Sequence, residues 1–109
     1  MARVLAVVSD LMLASRVATA LEAAGHDVRQ EAALPDETDE IELIVADLDV
    51  VQPDEVARAG VPVIGFYQHT DAETKRVAEE AGLRFTVPRS RMVRELPELV
   101  ERALSSPAD

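Results

Sequence analysis

Cysteine is absent from the 109 residues, which excludes disulfides, thiolate zinc sites and every cysteine nucleophile, including that of the small α/β phosphatases and phosphotransfer domains that use one. Tryptophan is absent too, and one Tyr and two Phe bring the aromatic content to only 3%. That leaves almost nothing on which to stack bases, so a single-stranded nucleic-acid platform is not expected. Basic residues are few, with eleven Lys and Arg against 21 Asp and Glu, a formal net charge of -10. A polyanion or an anionic membrane would be repelled, so neither nucleic acid nor a membrane is an expected partner. The apolar run Val4 to Val8 is too short for a signal peptide or a membrane span, and the expected location is cytoplasmic.

Hydrophobic residues make up 48% of the chain and charged residues 29%, which is ordinary globular usage built on an aliphatic core. At 11.8 kDa there is room for one domain. Residues 1–104 are expected to form it, with 105–109 as a frayed, flexible tail.

Val4 to Val8 is continuous and rich in β-branched residues, as expected of a strand buried on both faces, and it stops at Ser9-Asp10. From Leu11 the spacing turns helical, with Leu13, Val17, Ala18, Leu21 and Ala24 on one face and Gly25 as the stop. His26 to Glu31 offers one strong apolar residue, Val28, and suits a short edge strand. His26 itself reads as a turn residue at the far end of the sheet. The next segment, Leu34 to Glu42, holds Pro35 and the carboxylates of Asp36, Glu37, Asp39, Glu40 and Glu42, so a second helix there is short or missing.

Ile41 to Ala46 forms another buried strand, ending at Asp47-Leu48-Asp49. A short helix follows, opened by Pro53 and closed by Gly60. Val61 to Phe66 is a fourth strand. Thr70-Asp71-Ala72-Glu73 has the capping-box pattern for a helix that Gly82 ends, and Arg84 to Val87 is a fifth strand. Ser90 can cap a last helical region that Pro97 should break near Leu96, with Leu96, Leu99, Val100, Ala103 and Leu104 as its apolar stripe. Met12 and Met92 are read as packing residues, and Phe66 and Tyr67 as either core or partner-facing aromatics.

Five strands alternating with helices imply right-handed crossovers and an α/β fold: a doubly wound, five-stranded parallel sheet of flavodoxin-like order 2-1-3-4-5. Ligands in such folds sit beyond the carboxyl ends of the strands, at the switch point. The sequence places Ser9 and Asp10 there after strand one, Asp47 and Asp49 after strand three, and Tyr67, Gln68 and His69 after strand four. Asp10 and Asp47 end neighbouring strands and can share one hard cation such as Mg²⁺, which would relieve the mutual repulsion that otherwise raises a carboxylate pKa. Asp and Ser also follow strands simply to cap helices or make turns. His69 can sense pH at the mouth of this site or be merely solvated.

Over essentially its whole length the chain resembles the receiver domain of two-component response regulators. Val7-Val8-Ser9-Asp10 is similar to the acidic-pair segment, Ile44-Val45-Ala46-Asp47 to the phosphoacceptor strand, Val61-Pro62-Val63-Ile64 to strand four, and Ala81-Gly82 to the turn before strand five. The resemblance implies that Asp47 is the phosphoacceptor of a phosphorelay. It implies Asp10, Asp47 and Asp49 as the Mg²⁺ ligands, Asp49 through its backbone carbonyl. It assigns the switch and phosphate-contact positions to Tyr67 and Arg89.

Three departures go with it. Ser9 stands where receivers carry a second acid, although the Asp49 side chain could return that carboxylate. Tyr67 stands where a Ser or Thr contacts the phosphoryl group, and a phenol cannot make the same small inward shift. Arg89, preceded by Pro88, stands where receivers have a Lys followed by Pro, and a guanidinium fork is not equivalent to an ammonium.

The resulting expectation is an atypical, stand-alone pseudo-receiver that signals through protein-protein contact, with phosphorylation at Asp47 weakened or lost and no enzymatic turnover. Its implied partners are a histidine kinase, a downstream effector or a second copy of the chain. In the family the partner face joins the helix before strand five, strand five and the last helix, and here it carries Lys75, Arg76, Arg84, Arg91, Arg94 and Arg102. The alternative is a working receiver in which Asp47 takes a phosphoryl group with Mg²⁺ bound. A small-molecule or nucleotide-binding flavodoxin-like domain is the third reading, opposed by the absence of a Gly-rich cradle after strand one and by Asp10 at the helix start.

Overall fold

Residues 2–68 and 72–105 are described by a computed structural model of the chain. His69 and the Thr70-Asp71 half of the expected capping box lie outside the described residues, as do 106–109.

Strand β1 (Arg3–Val7) is solvent-free from Val4 to Val7. Its successor, helix α1 (Leu11–Ala23), begins because the Asp10 carboxylate accepts the N–H groups of Met12 and Leu13 at 3.0 and 3.1 Å. The helix buries Leu13, Ala14, Val17, Ala18 and Leu21 and ends at Gly25, whose φ of 93° is open to glycine. Ala24, expected on the same face, is exposed. Strand β2 (Asp27–Glu31) then forms the edge.

Residues 32–42 contain no helix, so of the two expectations for the second helix it is absence that holds. Five carboxylates and a proline within eight residues oppose a compact turn. The segment is instead tied back to β1, where Glu42 N–H donates to the Arg3 carbonyl and Glu40 pairs with the Arg3 guanidinium.

Strand β3 (Leu43–Asp47), the five-residue helix α2 (Pro53–Ala57), strand β4 (Val63–Tyr67), helix α3 (Ala72–Ala81) and strand β5 (Phe85–Pro88) follow in order. Strands three and four begin two residues later than the apolar runs suggest, because Ile41 and Val61 sit half-buried ahead of the sheet. The last helix, α4 (Arg89–Ser105), starts directly after β5 and places Ser90 in its first turn rather than at its cap. It kinks at Glu95 (φ -116°, ψ 15°), two residues before Pro97, which removes an N–H donor and crowds the preceding turn.

The five strands are all parallel, in the order β2-β1-β3-β4-β5. Alternate residues feed two cores. Val4, Ala6, Val45, Ile64 and Phe66 pack under α1 and α4 with Leu13, Leu21, Met92, Leu96 and Leu99. Leu5, Val7, Ile44, Ala46 and Val63 pack under α2 and α3 with Val56, Ala78 and Leu83. Phe66 and Tyr67 are both buried, which resolves them as core residues. Met92 is wholly buried as expected, but Met12 is 80% exposed. Met12 lies with Ser15, Arg16 and Thr19 on the solvent side of α1, while Leu13 and Ala14 of the same turn are buried. His26 is buried, its Nδ1 accepting the Ala2 N–H at 3.1 Å, so it anchors the start of β1 rather than merely turning the chain.

Candidate functional site

The register that pairs Val7 with Ala46 brings Asp10 and Asp47 to the same edge of the sheet. Asp47 is the last residue of β3 and is half-buried. Its Oδ1 accepts the Asp49 N–H at 2.9 Å, and its carbonyl accepts the N–H groups of Val50 and Val51, so the chain turns tightly around it. The Asp49 carboxylate accepts the Gln68 N–H at 3.3 Å.

On the other side, Arg89 reaches in from the first turn of α4. Its Nη2 lies 3.4 Å from Asp10 Oδ2 and its Nη1 lies 3.5 Å from Gln68 Oε1. Asp10, Asp47, Asp49, Gln68 and Arg89 therefore form one cluster. Ser9 is exposed at its rim, and Tyr67 is not part of the mouth: it is buried in β4, beside Pro88 of β5.

The two central carboxyls respond in opposite directions. The backbone N–H of Leu13 above all, then that of Met12 and the Arg89 guanidinium, hold Asp10 below the usual carboxylate range. Burial pushes Asp47 up, and the charges of Asp49 and Asp10 add to this, while the Asp49 N–H and Arg89 oppose it. Asp10 is thus firmly ionised and already engaged, and Asp47 is the carboxyl whose charge is least comfortable.

Magnesium is the cation implied by the resemblance, and the donor set does not suit it. Mg²⁺ demands near-octahedral oxygen geometry, usually from one or two carboxylates aimed at a common point and several waters. Here Asp10 caps α1 and faces Arg89, Asp49 is turned toward Gln68, and no group of three His, Asp or Glu side chains among the described residues is placed to hold a metal.

Most of the cations on α3 and α4 are engaged locally. Arg76 bridges Glu73 and Glu80, Arg91 and Arg94 both pair with Glu95, and Arg102 lies 5.3 Å over the Phe85 ring. The contact between Asp10 and Arg89, 79 residues apart, has no local sequence signal. The spacing around Arg16 assigns it no role. Its only signal is that no acid lies three or four residues away on α1, unlike Arg58, Arg76 and Arg91 on their helices.

No protein-family model and no curated protein sequence matches the chain. Solved structures do. The non-phosphorylated HemR receiver domain from Leptospira biflexa superposes with a TM-score of 0.83 at 18% identity, over 100% of this chain and 98% of that one. An orphan response regulator of H. pylori gives 0.82 at 18% identity over 94% and 96%. A CheY-like response regulator receiver domain protein from Methanospirillum hungatei gives 0.81 at 18% identity over 95% and 94%. At such identities the likeness is one of fold. Among the described residues no helix is long and apolar enough to cross a membrane.

Proposed function

We propose that the chain is an atypical receiver-like signalling module that works by binding other proteins, with phosphorylation at Asp47 weakened or lost. The observation that carries this reading is the Arg89 guanidinium 3.4 Å from Asp10. Phosphoryl transfer to a carboxylate depends on a cation that neutralises the equatorial oxygens beside the nucleophile. In this site the cation is a side chain tethered to α4, and it is held by Asp10 and Gln68 rather than by Asp47. The remaining carboxylates are occupied by the backbone.

Two further features support it. Ser9 adds no charge at the rim. Tyr67 is locked into the sheet, so the position that would sense a phosphoryl group has no room to shift. Such a module has no turnover, and its partner is a signalling protein, for which a histidine kinase, an effector or a second copy are the candidate classes.

A magnesium titration followed by amide and side-chain NMR tests this reading. The native chain should show only weak, non-saturating shifts up to millimolar Mg²⁺. Saturable shifts at Asp10, Asp47 and Asp49 would overturn it in favour of a metal-dependent phosphoacceptor.

A further inference from the structure

A cleft of about 380 Å³ adjoins the carboxylate cluster, sharing Gln68 and Arg89 with it and lined besides by Arg16, Pro88, Ser90 and Val93. Two guanidiniums from separate helices line it and no carboxylate does, in a chain whose formal net charge is -10. Arg16 makes no ion pair with another described residue, whereas Arg58, Arg76, Arg91 and Arg94 all have acidic partners. An apolar groove of about 160 Å³ continues from it between α1 and α4, sharing Arg16 and Val93 and adding Val17, Ala20 and Leu96. The volume falls within the range of small-molecule sites, in which a few polar groups orient a ligand against an apolar wall.

We propose that this cleft binds a small phosphate monoester carrying a short apolar group. The dianionic head is matched by the two guanidiniums, whose planar donor forks suit phosphate oxygens, with Ser90 hydroxyl and Gln68 amide as further donors. The apolar group lies along Val93 and Val17. Arg89 is common to the cleft and to the acidic cluster, and its present contacts with Asp10 and Gln68 are long at 3.4 and 3.5 Å. A phosphate in the cleft therefore competes with Asp10 for one guanidinium, and the two sites are linked.

The test is an NMR titration of the full chain at physiological ionic strength with phenyl phosphate, inorganic phosphate and phenol. Phenyl phosphate should saturate, with shifts at Arg16, Val17, Ser90 and Val93. Inorganic phosphate should bind several-fold more weakly, and phenol should not bind. Arg16→Ala, at an exposed position, should lose about tenfold in affinity or more, while Lys75→Ala on the other helical layer should lose none. Asp10→Asn keeps the helix cap and should bind a few-fold more tightly, because Arg89 is released. Equal losses in Arg16→Ala and Lys75→Ala, or shifts that map elsewhere, overturn the site. Unchanged affinity in Asp10→Asn overturns the link through Arg89.

Discussion

Arg89 and Asp10, separated by 79 residues, face each other across the carboxyl edge of the sheet with Nη2 3.4 Å from Oδ2. This contact ties the start of α4 to the start of α1. It also places the cluster's single guanidinium on the carboxyl that is already the better stabilised of the central two.

Asp47 should be more comfortable uncharged. Burial raises its pKa in the folded chain above the unfolded value of about 3.9, so the folded state holds that proton more tightly. Stability from this group is greatest in acid and declines as pH rises through the unfolded pKa toward the folded one. Asp47→Asn keeps the oxygen that accepts the Asp49 N–H and removes the charge. Thermal melts should show a midpoint raised by a few °C at pH 7, with the gain shrinking toward pH 3.

Asp10 carries the opposite sign. Its pKa is held low, first by the Leu13 N–H, so its contribution is present above the unfolded pKa and is lost as pH falls through the folded one. Asp10→Ala should lower the melting midpoint at neutral pH, and Asp10→Asn should recover most of the loss, since an amide oxygen still caps α1. Arg89→Met should raise the Asp10 pKa, read by carboxyl NMR titration, by less than the cap holds it down.

Much of this geometry is readable from the chain alone. Val4 to Val8 and Leu43 to Ala46 could only be strands covered on both sides, and the parallel order follows once helices separate them. Pro97 marks the kink, which the backbone takes at Glu95. The empty stretch between β2 and β3 is likewise visible in its carboxylates and Pro35. Met12 fits the composition of a buried residue, but its spacing sets it with Ser15, Arg16 and Thr19 on the exposed side of α1. What periodicity cannot carry is position relative to the sheet edge. Tyr67 falls at a site position by spacing, and its burial beside Pro88 depends on the β4 to β5 register. The clustering of Asp10, Asp47, Asp49 and Gln68 is a consequence of strand order, whereas the orientation of each carboxylate is decided by nearby N–H groups.

Gly65 is a close-approach position. A Cβ there would lie 2.8 Å from Leu83 Cδ2 and 2.9 Å from Leu48 Cδ1, both in the core under α2 and α3. Gly65→Ala should therefore destabilise by about 1–3 kcal/mol through overpacking, measured by urea unfolding.

Thr86, the neighbour of Gly65 across β4 and β5, holds a buried hydroxyl with no hydrogen-bond partner among the described residues. Thr86→Val preserves the β-branched shape and removes the stranded polar group. Urea unfolding should show a gain of roughly 1 kcal/mol.

The most direct measurement of the central claim is the intact mass of the chain after incubation with a small phosphodonor, with and without Mg²⁺, beside Asp47→Asn. A site whose cation is Arg89, held by Asp10, predicts little or no adduct on the native chain, and no increase with Mg²⁺. A Mg²⁺-dependent gain of one phosphoryl group on the native chain, absent from Asp47→Asn, would contradict it and make Asp47 a working phosphoacceptor.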